Sequence, residues 1–130
     1  MRHIMKIHDL IDMSHELIDP TPGWKAGAGF RKVMPHVCCM DGTTMSVQVG
    51  NGLYCTPRDN NGPYTHVEVG YPSKVFKQLY DFMEGSVADG DDPTKCVYGY
   101  VPIELVDELL DACGGICIEV TLLKVENSNV

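Results

Sequence analysis

Two stretches of the chain alternate apolar and polar side chains: Met45-Ser46-Val47-Gln48-Val49, and Thr65-His66-Val67-Glu68-Val69-Gly70-Tyr71. A period of two belongs to β-strands and puts one set of side chains on a core face. In the second stretch Thr65, Val67, Val69 and Tyr71 would share that face, with His66 and Glu68 opposite. The first stretch follows Asp41-Gly42, a dipeptide that favours a tight hairpin turn, so residues 37–40 and 44–49 are expected to pair antiparallel. Residues 53–56 would extend the sheet, and Pro57-Arg58-Asp59-Asn60-Asn61-Gly62-Pro63 is a concentrated turn signal. Residues 96–101 read as a short strand. Residues 116–125, apolar on both faces, read as a last one, either central or paired with a second copy in a symmetric homodimer.

Between these lie helical periods. Ile7, Leu10, Ile11, Leu17 and Ile18 share one face of a helix over residues 5–18, with Asp9, Asp12 and Glu16 opposite. Asp19-Pro20-Thr21-Pro22-Gly23 ends it, and residues 19–32, with Gly27-Ala28-Gly29, form an irregular arm. Ser73 suits the N-cap of a helix carrying Val75, Phe76, Leu79, Tyr80 and Met83. Residues 84–95 read as an acidic loop. Pro102 opens a last helix that buries Leu105, Val106, Leu109 and Leu110, and Gly114-Gly115 stops it. The expected class is α+β: a mostly antiparallel sheet of about five strands with two to three helices on one face. A length of 130 residues suits one domain. Residues 1–40 are expected to be an N-terminal addition to a core at 41–125.

Composition narrows the function classes. Ten Lys and Arg against eighteen Asp and Glu give a formal charge of −8. Residues 71–130 alone hold four Lys against eleven carboxylates. Neutralising phosphates needs the opposite sign, so direct nucleic-acid binding is not expected. An acidic surface suits a basic protein partner or plain solubility. No run approaches the roughly 20 apolar residues of a membrane span. The six cysteines occur without an apolar signal-peptide core, so reduced thiols and a cytoplasmic location are expected.

Four constellations could carry chemistry. Glu104, Asp107, Glu108 and Asp111 recur at i, i+3, i+4 and i+7, which aligns them along one helix ridge. With Asp91 and Asp92 this ridge could imitate a phosphate backbone and occupy a basic groove. In the 54–64 turn, Arg58 could hold a phosphate, Tyr54 or Tyr64 stack on a base, and Asn60 or Asn61 read its edge. Cys55 could act as a nucleophile with His66 as base and Asp59 as orienter, although no local nucleophile signature surrounds it. His36, Cys38 and Cys39, with Cys113 and Cys117, lack the doubled short-spaced pairs of structural zinc. Asp89-Gly90-Asp91-Asp92 lacks the calcium loop's closing Glu. No metal or cofactor is expected.

The strings Tyr54-Cys55-Thr56-Pro57-Arg58, Gly62-Pro63-Tyr64-Thr65 and Val67-Glu68-Val69-Gly70-Tyr71-Pro72-Ser73 resemble small accessory proteins of phages, prophages and bacteria. Val97-Tyr98-Gly99-Tyr100-Val101-Pro102 and Gly114-Gly115-Ile116 look similar to the same group. The resemblance covers roughly residues 44–118. It brings no catalytic residue; it implies the company of proteins that block host defence. The leading expectation is a non-enzymatic inhibitor, anti-CRISPR-like, that docks its acidic ridge on a basic nucleic-acid-binding protein. The alternatives are a protein that sequesters a nucleotide signal at the 54–64 turn, and a Cys55-dependent hydrolase.

Overall fold

The computed structural model describes residues 5–17, 34–59 and 62–122. Helix α1 (Ile7–Leu17) leads to strands β1 (Val37–Cys38), β2 (Thr44–Gln48), β3 (His66–Gly70) and β4 (Val97–Pro102), and then to helix α2 (Ile103–Ala112). The strands lie side by side in the order β1-β2-β3-β4, every neighbour antiparallel. The class is therefore α+β, with four strands rather than five. The expected arm at 19–32 and the residues 123–125 of the expected last strand lie outside the described residues.

The hairpin forms, but not through the two-residue primed turn that Asp41-Gly42 favours: Met40-Asp41-Gly42 make a three-residue loop in which Gly42 alone has a positive φ. Gly42 takes a φ of +92°, a conformation glycine reaches without a Cβ penalty. Its amide donates to the Cys39 carbonyl, and the Asp41 carboxylate accepts from the Thr43 amide. Val37 then faces Met45 across the ladder, and Val47 faces Val69. Met45, Val47, Val49, Val67, Val69, Tyr98 and Val101 are buried in one cluster with Ile7, Leu10 and Ile11 of α1 and Val106, Leu109 and Leu110 of α2. Helix α1 thus shares the core of the sheet. Each such side chain contributes on the order of 1.5–3 kcal/mol by leaving water.

Strand β2 is covered on both faces. Ser46 and Gln48, the polar half of its alternation, are buried too. The Gln48 amide accounts for this: its Oε1 accepts from the Met34 amide and its Nε2 donates to the Met34 carbonyl, both at 2.8 Å. The Gln48 side chain thus holds the backbone of Met34 beyond the end of the β1–β2 ladder.

Three expected elements differ. Residues 73–83 do not form a capped α-helix; a 3₁₀-helix spans Lys77–Phe82. Ser73 is engaged elsewhere, its Oγ accepting from the Thr44 amide and its amide donating to the Thr44 carbonyl, both at 2.8 Å. At the other end Met83 bridges to Tyr98 and the Glu84 amide donates to Val97. A segment pinned to β2 and β4 at its ends has to cover distance, and a 3₁₀ turn rises about 2.0 Å per residue against 1.5 Å for an α-helix. Val75, expected inside, is exposed.

Residues 116–122 are not a strand. Ile116 makes an isolated bridge to Cys39, and residues 118–122 are helical. A short apolar run carries no periodicity that separates strand from buried helix. Thr121 shows why the helical turn wins: fully buried, its Oγ1 accepts from the Cys38 amide at 3.0 Å and so closes the free edge of β1. The case for a homodimer built by pairing this segment falls with the strand.

Strand β3 ends at Gly70. Tyr71 has a φ of +51° and is exposed, not on the core face. Residues 53–56 contribute one bridge, Thr56 to His66, rather than a strand. Pro102 closes β4 and caps α2 in one step, while Gly114 and Gly115, at φ of +90° and +87°, stop α2 as expected.

Candidate functional site

The acidic ridge forms, but the fold uses half of it. Glu104, Glu108 and Asp111 are exposed on α2, whereas Asp107 is partly buried. The Asp107 carboxylate accepts from the amide of Ile7 at 2.8 Å. That amide opens the first turn of α1, where donors have no partner within the helix. Asp107 is therefore a cap supplied from 100 residues away. Asp111 lies 3.9 Å from Lys6, an exposed pair that contributes little. Glu104 and Glu108 remain as the outward pair.

Asp91 and Asp92 are both exposed, and both shape their own loop. Asp91 accepts from the Ser86 amide at 2.8 Å, and Asp92 from the amide and hydroxyl of Thr94. The Thr94 amide, followed by its hydroxyl, holds the Asp92 carboxyl below its ordinary range. Around them the 81–92 segment exposes Asp81, Glu84 and Asp89 and contains no Lys or Arg. That row of carboxylates is longer than the one expected from residues 89–92 alone.

The 54–64 turn is built mainly around itself. Arg58 Nε donates to the Leu53 carbonyl at 2.9 Å, and its guanidinium lies 5.7 Å from the Tyr54 ring centre. The Tyr64 hydroxyl donates to the Asp59 carbonyl at 2.8 Å. Burial, before any charge, pushes that phenol up to about 12. The Tyr54 amide donates to the Glu68 carboxylate, which brings a negative charge to the place where a phosphate was expected. Asn60 and Asn61 lie outside the described residues.

The sequence reading missed Tyr100 at this place. Its ring lies 5.8 Å from that of Tyr54 and its amide donates to the Tyr54 carbonyl. Strict alternation would put Tyr98 and Tyr100 on one face. Between Val67 and Val69 the pairing shifts by one residue, so that Tyr98 and Val101 face inward and Tyr100, at φ of +53°, turns out.

Cys55 has the surroundings of a packed thiol. It is fully buried, its Sγ donates to the Gly50 and Pro57 carbonyls, and burial raises its pKa. A nucleophile needs the thiolate, which this site disfavours. His66, its expected base, has Nδ1 on the Thr65 hydroxyl at 2.8 Å. Among the described residues no three His, Cys, Asp or Glu side chains group in a way that could hold a metal ion.

Cys39 is pushed from 9.0 up to about 12, first by burial and then by neighbouring Cys113. Tyr64 and Tyr98 rise from 10.0 to about 12, both chiefly by burial. The unfolded chain releases these three protons at lower pH than the folded one. The stability they carry is therefore whole below about pH 9 and is lost as pH climbs toward 12. Urea midpoints are expected to be level from neutral pH to about 9 and then to fall steeply. A midpoint unchanged at pH 11 would contradict that burial.

Comparison of the chain with protein-family models, curated proteins and solved structures finds no match.

Proposed function

We propose that this protein is a non-enzymatic binding protein that occupies a basic protein surface with its exposed carboxylates. The observation that carries the reading is the distribution of charge: Glu104, Glu108 and Asp111 in one row on α2, and five exposed carboxylates without a cation over residues 81–92. Such a field accelerates encounter with a positively charged groove and disfavours nucleic acid itself. A nucleic-acid-binding protein is the natural partner, since its groove is shaped for a row of negative charges. In the setting that the resemblance implies, the partner belongs to host defence and the protein is an anti-CRISPR-like inhibitor. The nucleotide-binding alternative loses support because Arg58 and Tyr64 already serve the turn they sit in, and Glu68 of β3 holds the Tyr54 amide.

Glu104 and Glu108 test this reading without touching the fold, because Asp107 caps α1 and Asp111 pairs with Lys6. The double variant Glu104→Lys, Glu108→Lys is expected to slow association with a captured basic partner by about 10-fold or more at low salt. It should also flatten the salt dependence of the rate, while the melting temperature falls by no more than a few degrees, the cost of a cation in the first turn of α2. Association at the parent rate at low salt would end the proposal.

A further inference from the structure

Strand β4 gives up regular pairing to turn one tyrosine outward. Val67 pairs with Val101 and Val69 with Tyr98, so Gly99 and Tyr100 together stand opposite Glu68 alone. An extra residue of this kind re-aims a side chain. Tyr100 also takes a φ of +53°, a left-handed conformation that is unfavourable for a residue with a Cβ. Neither departure serves the core, because Tyr100 remains 41% exposed. Strain held at an exposed aromatic ring points to a surface with a use. The surroundings are firmly held. The Tyr54 amide donates to the Glu68 carboxylate at 3.0 Å, and the Tyr54 carbonyl accepts from the Tyr100 amide at 2.9 Å. Gly99 lets the Tyr54 side chain lie against the strand, since a Cβ there would stand 3.0 Å from that of Tyr54. Tyr54 and Tyr100 thus form a fixed pair of rings, 5.8 Å apart, tilted by 47° and equally exposed. Two ions adjoin them. Arg58 lies over the Tyr54 ring with its Nε on the Leu53 carbonyl, and Glu68 holds the Tyr54 amide. Among the described residues neither has an oppositely charged partner.

Those two charges select the occupant. A partner's cation would meet Arg58, and a partner's anion would meet Glu68 and a chain of formal charge −8. A surface that offers one ion of each sign beside two rings is complementary to itself, as the interface of a two-fold dimer requires. We propose that the Tyr54–Tyr100 face binds a second copy of this chain, the rings packing on their counterparts and Arg58 of each copy pairing with the other's Glu68. Tyrosine and arginine are enriched at the energetic centre of such contacts. Two rings and two ions are few beside a standard interface of roughly 1,200–2,000 Å², which suits a weak dimer with a Kd of about 0.1 mM. The dimer would present the carboxylates of α2 and of residues 81–92 twice over. Its interface is separate from those carboxylates, so either idea can fail alone.

The test is sedimentation velocity of the full chain from about 10 µM to about 1 mM, at about 0.15 M salt, where charges more than about 8 Å apart are screened. The mean mass should rise toward that of a dimer. Tyr100→Asn removes the ring, keeps the charge and places a residue that tolerates the left-handed conformation, so the fold is retained. It should weaken dimerisation by about 10-fold or more. Arg58→Glu, which sets a carboxylate against a carboxylate, should weaken it as far, with circular dichroism confirming the fold. Amide NMR shifts on dilution of the parent should concentrate at residues 54–58, 66–68 and 99–101. A chain that stays monomeric up to about 1 mM overturns the proposal. So does a dimer that Tyr100→Asn leaves as tight as the parent, or dilution shifts centred elsewhere.

Discussion

Tyr98→Ala is expected to lower the free energy of unfolding by about 3–5 kcal/mol, the range for removing a large buried aromatic side chain. Among the described residues Tyr98 is the largest fully buried side chain, and it meets three parts of the chain at once. Across the ladder it faces Val69, along its outer side it bridges to Met83, and its hydroxyl donates to the Pro93 carbonyl at 2.6 Å. The ring fills the core and the hydroxyl fixes the acidic loop, so the two contributions can be separated. Tyr98→Phe keeps the ring and is expected to cost only about 0.5–1.5 kcal/mol, because the partly exposed Pro93 can turn to water. Domains of this size hold roughly 5–15 kcal/mol in all, so the alanine variant should be close to unfolding at 37 °C. Urea titrations of both variants check this. An alanine cost below about 1.5 kcal/mol, or equal costs for the two variants, would show that the ring does not hold the sheet together as described.

How much of this was legible in the residues depends on whether each side chain's partner was local. The alternation at 45–49 and the glycine of the turn need only neighbours to act, and the hairpin formed, with its ladder one residue away from the register of a two-residue Asp41-Gly42 turn. The apolar stripe of α2 and its two closing glycines are equally local. Ser73 looked like a helix cap because serine usually is one, yet its hydroxyl was taken by Thr44, 29 residues earlier. Residues 116–122 looked like a strand because apolar runs look alike, and the Thr121 hydroxyl at Cys38 decided otherwise. The carboxylate ridge shows both cases in one element. Its spacing predicted which residues share a face, but nothing near Asp107 in the sequence announces that it caps α1. Tyr100 was hidden by a single-residue shift in pairing, which exchanges the faces of all that follows.

The same reasoning separates the carboxylates that can serve a partner from those the fold has claimed. Asp41 holds the hairpin turn, Asp91 and Asp92 hold their loop, Glu68 holds the Tyr54 amide, and Asp107 caps α1. Each accepts a backbone amide hydrogen bond, so altering it disturbs structure before it disturbs binding. Glu104 and Glu108 are exposed on the outside of α2, and Glu104, in its first turn, gains only about 0.3–1 kcal/mol from the helix dipole. Variants there should alter association at a cost in stability of no more than about 1 kcal/mol for Glu104 and less for Glu108.

Gln48→Leu should be a costly change, although it buries a side chain of similar size and greater hydrophobicity. Gln48 satisfies both the amide and the carbonyl of Met34 and also donates to the Ser46 hydroxyl at 3.0 Å. Leucine leaves two backbone groups of a buried residue unpaired. At about 1–3 kcal/mol for each, the expected loss is roughly 2–5 kcal/mol, more than the added apolar surface returns. Gln48→Glu provides the discriminating comparison. Its carboxylate can still accept from the Met34 amide, but it faces the Met34 carbonyl with a negative charge in place of a donor. Protonation restores that donor, so the folded state raises the carboxyl pKa above its unfolded value of about 4.3. The Glu variant should therefore be relatively more stable below that pH and lose ground as pH rises through the raised value. Gln48→Leu should show no such dependence relative to the parent. Hydrogen exchange at the Met34 amide gives the local measurement: strong protection in the parent, partial protection in the Glu variant and loss of it in the Leu variant. Equal protection in all three would mean that the Gln48 side chain does not hold the Met34 backbone beside β2.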